Sequence, residues 1–183
     1  MHLALSFAHT SRGVAMLCLL MVGSASWAGW RSELPEAALV GQGDFTWFGL
    51  RVYQARLWTP AATMSWEQPF ALELNYLREV SQDTLVQASL DEMRRLGGPS
   101  VDEVHLAAWD SEMRKAFVDV QPGQRITGLY LPGKEVRFYV DGEFRHTVTD
   151  TDFSRAFFAI WLDVRTRHPQ LRRELLRLNE TNP

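Results

Sequence analysis

The side chains in this chain that could do chemistry are phenols, indoles and guanidiniums on segments that alternate like strands. Trp47, Tyr53, Trp58, Tyr76, Tyr130 and Tyr139 fall on such segments, with Arg51, Arg56, Arg78 and Arg125 close by. Rings of this kind can wall an apolar cleft, and one Arg or Tyr can hold an anionic or phenolic ligand head by a strong hydrogen bond. A plainer reading makes the aromatics core and the arginines outward strand residues. Pattern alone favours the plainer reading, because sheets select such residues in any case.

Other chemistries find less support. His105, His146 and His168 have no His-x-x-x-His or similar spacing, so no metal site is expected. Gly41-Gln-Gly43 lacks the third glycine of a dinucleotide fingerprint, with Thr46 in its place, and a strand follows it rather than a helix. Close backbone packing or a bulge is the expectation there. No Gly-x-Ser-x-Gly elbow marks a serine hydrolase. Asp102/Glu103, Asp110/Glu112 and Asp150/Asp152 lie near helix starts or solvated faces, where capping accounts for them. Arg172, Arg173 and Arg177 read as one solvated helix face.

The elements that would position these groups are legible from periodicity. Leu39–Phe48, Arg51–Trp58 and Phe70–Val80 carry strand-like aromatic and β-branched content, the last two with clear period-two alternation. Ser81 can cap a helix whose buried stripe is Val86, Leu90, Met93 and Leu96, closed by Gly97. Ser100-Val-Asp-Glu103 has capping-box spacing ahead of Leu106, Trp109, Met113 and Phe117. Strands return at 125–132 and 135–140, and Asp141-Gly142 is a strong hairpin signal leading into 143–148. Asp150 or Thr151 can cap a helix with the stripe Phe153, Ala156, Phe157, Ile160 and Trp161, and Pro169 suits the first turn of a last helix. The order β-β-β-α-α-β-β-β-α-α predicts an α+β fold, an antiparallel sheet with helices layered on one face.

Composition bounds the rest. The 183 residues are 46% hydrophobic and 22% charged, ample for a core. With 19 Lys+Arg against 22 Asp+Glu, the net charge of −3 argues against nucleic-acid binding through bulk charge. A single cysteine excludes an internal disulfide framework. Arg12, the apolar run Gly13–Val22, and Ser26 and Ala28 at the −3 and −1 positions form a secretory signal pattern. Residues 1–28 are therefore expected to be cleaved after Ala28, leaving 29–183 as a single exported, periplasmic domain. The apolar run is shorter than the ~20 residues of a spanning helix, and no later stretch reaches that length.

The blocks Leu39-Val-Gly-Gln-Gly-Asp-Phe-Thr-Trp-Phe-Gly-Leu-Arg-Val-Tyr-Gln-Ala-Arg-Leu-Trp58, Leu74-Asn-Tyr-Leu-Arg-Glu-Val80, Gly123-Gln-Arg-Ile-Thr-Gly-Leu-Tyr-Leu-Pro-Gly133 and Asp152-Phe-Ser-Arg-Ala-Phe-Phe-Ala-Ile-Trp-Leu-Asp163 carry a family resemblance. Together they resemble the bacterial branch of the chalcone isomerase-like family over about 36–178. The resemblance implies an open-faced β-sandwich, an antiparallel sheet with helices layered against it. It also implies one of two activities: cofactor-free cyclisation of a phenolic chalcone, or non-catalytic fatty-acid binding in the same cleft. Both use an Arg on the first core strand to hold a negative oxygen. Here no arginine lies between Arg31 and Arg51, and Gly41 falls at or near that position. The isomerase's strand Thr aligns with Tyr53. Where the isomerase has a Tyr leading into its first helix, this chain has Ser81-Gln-Asp-Thr84.

The expectation is then a binder of a small hydrophobic or acidic ligand, using no cofactor and no metal, in a cleft between sheet and helices. Tyr53 and Tyr76 would donate hydrogen bonds, Arg78 or Arg125 would supply charge, and Trp47, Phe157 and Trp161 would line the apolar part. A cofactor-free isomerase with Tyr53 as its donor is the first alternative. An interaction protein with a filled cleft is the second, its protein partner not legible.

Overall fold

The computed structural model describes residues 29–178, so the signal-peptide reading of 1–28 lies outside the described residues. The chain forms α1 (Trp30–Glu33), β1 (Ala38–Trp47), β2 (Leu50–Thr59), β3 (Phe70–Tyr76), α2 (Gln82–Gly97), a 3-10 turn (Gly98–Ser100), α3 (Glu103–Ala116), β4 (Arg125–Leu131), β5 (Glu135–Val140), β6 (Glu143–Val148), α4 (Thr151–Leu162) and α5 (Pro169–Leu176). The six strands form one sheet in the order β1 to β6, every neighbouring pair antiparallel. Strands and main helices follow the expected order. Only α1 and the 3-10 turn are additional, and both are too short to show a periodic signal.

Local chemistry sets the helix starts. Ser81 accepts from the Thr84 amide at the head of α2, and Asp150 accepts from Asp152 and Phe153 at the head of α4. The cap of α3 differs from the expected box. Asp102 caps it by accepting from Val104 and His105, because Ser100 is committed to the 3-10 turn.

The helices cover one face of the sheet. Leu57, Phe70, Leu72, Tyr130 and Phe138 meet Met93, Trp109, Met113, Phe153, Phe158 and Leu175 there. The opposite face is partly covered too, since Trp30 and Leu34 of the α1 segment pack on Ala71, Leu129 and Tyr139. This second layer buries Ala71, and Arg56 pairs with the neighbouring outward residue Glu73, so β3 is buried at nearly every position instead of every other one. Glu33 ties the segment down through Arg137 and the Tyr139 hydroxyl.

Helix α5 rests directly on the first strand. A Cβ added at Gly41 would lie 2.2 Å from the Glu174 carbonyl and 2.4 Å from that of Leu175. Glycine lets the helix backbone approach this closely, and the β1–β2 register shifts beside it, between Leu39 and Gly41. Leu171 and Leu175 are buried by this packing, each contributing about 1.5–3 kcal/mol of hydrophobic stabilisation.

Two hairpins use the same tight turn. Asp141 and Gly142 have φ of 51° and 90°, and Phe48 and Gly49 have 46° and 77°. Positive φ at both central residues is the type I′ signature, which matches the twist of the flanking strands. Asp-Gly suits that geometry, whereas Phe is a costly choice for it.

Candidate ligand-binding site

Alternation on β2 and β3 puts Tyr53, Ala55 and Leu57 with Leu72, Leu74 and Tyr76 on the helix-covered face. Tyr53 and Tyr76 are directly paired in register and meet edge to face, ring centroids 5.6 Å apart. Phe45 pairs with Tyr53 from the other side and stacks on it at 4.8 Å. From α4, the Trp161 indole N–H donates to the Tyr53 hydroxyl at 3.0 Å, and Phe157 packs edge-on against Trp161 at 5.3 Å. Four of the expected site residues, Tyr53, Tyr76, Phe157 and Trp161, thus converge under α4.

Burial pushes both phenols well above the ordinary tyrosine range, and for Tyr76 the neighbouring Tyr53 adds to the effect. Both are therefore neutral hydrogen-bond donors at physiological pH. The Tyr53 hydroxyl accepts from Trp161, and among the described residues no acceptor takes its own proton. The Tyr76 hydroxyl forms no hydrogen bond among the described residues. Two donors side by side are unspent.

The other three expected residues lie elsewhere. Trp47 stands at the end of β1, 57% exposed. Arg78 is exposed beyond β3, and its Nε donates to the Arg51 carbonyl at 3.2 Å. Arg125 shares the alternate positions of β4 with Thr127 and Leu129, and Leu129 packs on the face away from the helices. The period-two rule that turns Ile126 and Tyr130 inward turns Arg125 outward. Arg56 likewise faces away, bonded to Gln54 and to Glu73 at 3.5 Å, and Arg51 pairs with Asp44. None of these guanidiniums donates to Tyr53.

The expected open cleft is also absent at this place among the described residues. Rings from α4 and the sheet fill the space, with Phe138, Phe153 and Phe158 fully buried. Two surface grooves lie elsewhere: one of about 520 Å³ between β1 and α5, lined by Leu39, Gln42, Arg173 and Arg177, and one of about 430 Å³ over Arg137 and Tyr139. Gly41, at or near the position where the resemblance implies an arginine, has the α5 backbone against it.

Two neighbours of the phenols were not among the expected site residues. Phe45 could have been found, since strand pairing opposite Tyr53 puts it on the same face. His168, whose ring meets Phe45 edge-on at 4.7 Å, carries no sequence signal of its place, because it precedes a helix distant in the chain. Burial holds its imidazole below the ordinary histidine value.

A family model described as chalcone isomerase-like matches residues 36–177. No curated protein sequence matches the chain. Among solved structures, the chain is similar to the Arabidopsis thaliana fatty-acid binding protein AtFAP1. The TM-score is 0.59 at 13% identity, covering 77% of this chain and 87% of that one. At that identity the likeness establishes the shared fold, an antiparallel sheet layered with helices.

Proposed function

The chain belongs to the chalcone isomerase-like family, and from that premise we propose that it is a non-catalytic binder of a small amphipathic acid of fatty-acid type. The observation that carries this reading is the pair of neutral phenols, Tyr53 and Tyr76, side by side with unspent protons. A carboxylate is an acceptor only, so it complements two such donors. The name of the plant protein of like fold supports the ligand class. The acyl chain would take the place now held by Phe157 and Trp161, so binding is a displacement of α4 side chains from a closed state. Protein partners are no part of the proposal, and no cofactor or metal is invoked.

The proposal extends to location. A signal peptide ending at Ala28 would deliver the protein from Gly29 onward to the periplasm of a bacterial cell. Among the described residues no helix is long and apolar enough to cross a membrane.

Native mass spectrometry of protein purified from its own periplasm tests both parts. A fatty acid retained on a polypeptide beginning at Gly29 is the expected result. Absence of any retained lipid, together with no saturable uptake of a long-chain fatty acid in titration, would overturn the binding reading. The filled interior favours the alternative of an interaction protein, which that outcome would leave standing. An isomerase would need a cation to hold its phenolate, and among the described residues no arginine donates to Tyr53. Chalcone cyclisation is accordingly expected at the buffer rate.

A further inference from the structure

The turn between β1 and β2 breaks two rules at once. Phe48 occupies a positive-φ position, where a bulky side chain is strained, and it is 88% exposed to water. Its neighbours Trp47 and Leu50 are 57% and 51% exposed, so three apolar side chains project together from the end of a hairpin. The β5–β6 hairpin solves the same geometric problem with Asp141-Gly142 and exposes one large apolar side chain near its turn, Phe144, where the β1–β2 hairpin exposes three. Within the described fold, Phe48 gains only an edge contact with Trp47, at 5.1 Å. An exposed cluster of this size, held at a conformational cost, points to something outside the chain that covers it.

Shape, charge and continuity identify the cover. The cluster is a protruding apex, suited to penetrating a soft apolar medium. Behind it stand two exposed guanidiniums. Arg51 is paired with Asp44, and Arg78 is hydrogen-bonded to the Arg51 carbonyl. Indole rings and arginines at the edge of an apolar tip match the boundary between hydrocarbon and phosphate headgroups. The cluster is also the outer end of an aromatic ladder. Phe48 meets Trp47, Trp47 stacks with Phe45 at 6.5 Å, Phe45 with Tyr53 at 4.8 Å, and Tyr53 touches Tyr76.

We infer that the Trp47–Leu50 tip docks into the surface layer of a lipid bilayer, with the ladder behind it leading an acyl ligand toward the phenol pair. The second half of this inference rests on the binding reading above, and the docking itself does not. Insertion is driven by apolar burial, so it should occur on zwitterionic bilayers and strengthen only modestly with anionic lipid.

Vesicle co-sedimentation tests it, using protein that begins at Gly29. That form holds every described element and omits the apolar run 13–22, which would bind lipid on its own. The vesicles are phosphatidylcholine alone and phosphatidylcholine with a minor share of phosphatidylglycerol. The unaltered protein should partition onto both. Phe48→Gly should weaken partitioning about tenfold or more, the factor associated with burying a phenylalanine side chain. Glycine is the favoured residue at this φ, so Phe48→Gly should melt no lower than the parent, and lost binding cannot be misfolding. Trp47 emission should shift to the blue on vesicles and be quenched by brominated lipid. The inference is overturned if the parent protein ignores both vesicles, or if Phe48→Gly partitions as the parent does. Self-association through the tip without lipid binding would overturn it equally, and would assign the tip to a second copy. Equilibrium fatty-acid binding measured without vesicles should be unchanged in Phe48→Gly, because Phe48 touches Trp47 and not the phenol pair, so it can alter the rate of entry but not the affinity. Absence of that binding from the parent would refute the binding reading alone.

Discussion

Replacing Gly41 by alanine tests why the first strand carries no side chain at that point. The added methyl would stand 2.2 Å from a backbone carbonyl of α5, where an ordinary contact is at least 3.4 Å. The helix would have to retreat by roughly 1 Å, a strain of the kind that costs about 1–3 kcal/mol in a packed interior. If α5 lifts away instead, the burial of Leu171 and Leu175 is lost, about 1.5–3 kcal/mol for each. Reduced freedom of the unfolded chain offsets about 0.4–1 kcal/mol. The cheaper route sets the outcome, a net destabilisation of about 1–2 kcal/mol, lowering Tm by roughly 2–8 °C in a chain of this length. Gly43→Ala is the internal control. Its methyl would meet a Glu174 carboxylate oxygen that can swing away, a Leu171 methyl at 2.8 Å and the Glu174 Cβ at 3.0 Å, side-chain atoms that need move less than the carbonyls facing Gly41. It should cost under about 1 kcal/mol. Thermal melts read by circular dichroism decide the matter. Gly41→Ala melting with the parent, or Gly43→Ala falling further than Gly41→Ala, would refute the account of α5 packing. The same account predicts that Gly41→Arg does not restore a family-like cation but expels the helix.

Three further outcomes are expected. Tyr76→Phe removes a hydroxyl that makes no hydrogen bond to a described residue, so Tm should change little, while fatty-acid affinity in a titration should fall about tenfold or more. Asp150→Ala loses the α4 cap, about 1 kcal/mol. It also strands the buried Trp109 indole N–H, now bonded to Asp150 at 2.9 Å, for about 1–3 kcal/mol more, measurable by urea denaturation. Stability should also fall on acidification. The Arg95 hydrogen bond draws the Glu92 carboxyl below its ordinary 4.5, so its contribution is complete above that value and disappears as pH falls through the lower folded value. His168, held low by burial, acts earlier: the unfolded chain takes up a proton near pH 6.5 that the folded one resists. Urea midpoints should therefore decline from about pH 6.5 downward, and His168→Gln should flatten the upper part of that decline without touching the lower.

Much of the architecture can be read from the chain because its local signals agree. Asp141-Gly142, Ser81, Asp150 and Pro169 all mark ends of elements, and each turn or cap is found where it points. Gly41 and Gly43 were legible as a place of close approach, though not what approaches, since α5 lies far along the chain. The site was less legible. Strand alternation assigns Tyr53 and Tyr76 to one face, but a place on a strand rich in aromatics does not say which face an arginine takes, and the pleat sends Arg125 the other way. Whether the layers enclose a hollow depends on how the Phe153, Phe157 and Phe158 rings interlock, which no periodicity encodes. Phe48 violates the rule for its turn, so reading the turn from Gly49 alone passes over its cost.

The attachment of α1 bears on the order in which the molecule assembles. Every strand lies beside its predecessor in the chain, and β1–β2, β4–β5 and β5–β6 can close through short loops. Glu33, by contrast, reaches Arg137 and Tyr139 across 104 and 106 positions. A link that long closes at a high entropic cost and forms only once the ladder beneath it exists. Amide protons of residues 30–37 should consequently exchange soonest among the ordered elements, and a protease acting on the folded molecule should begin at that end.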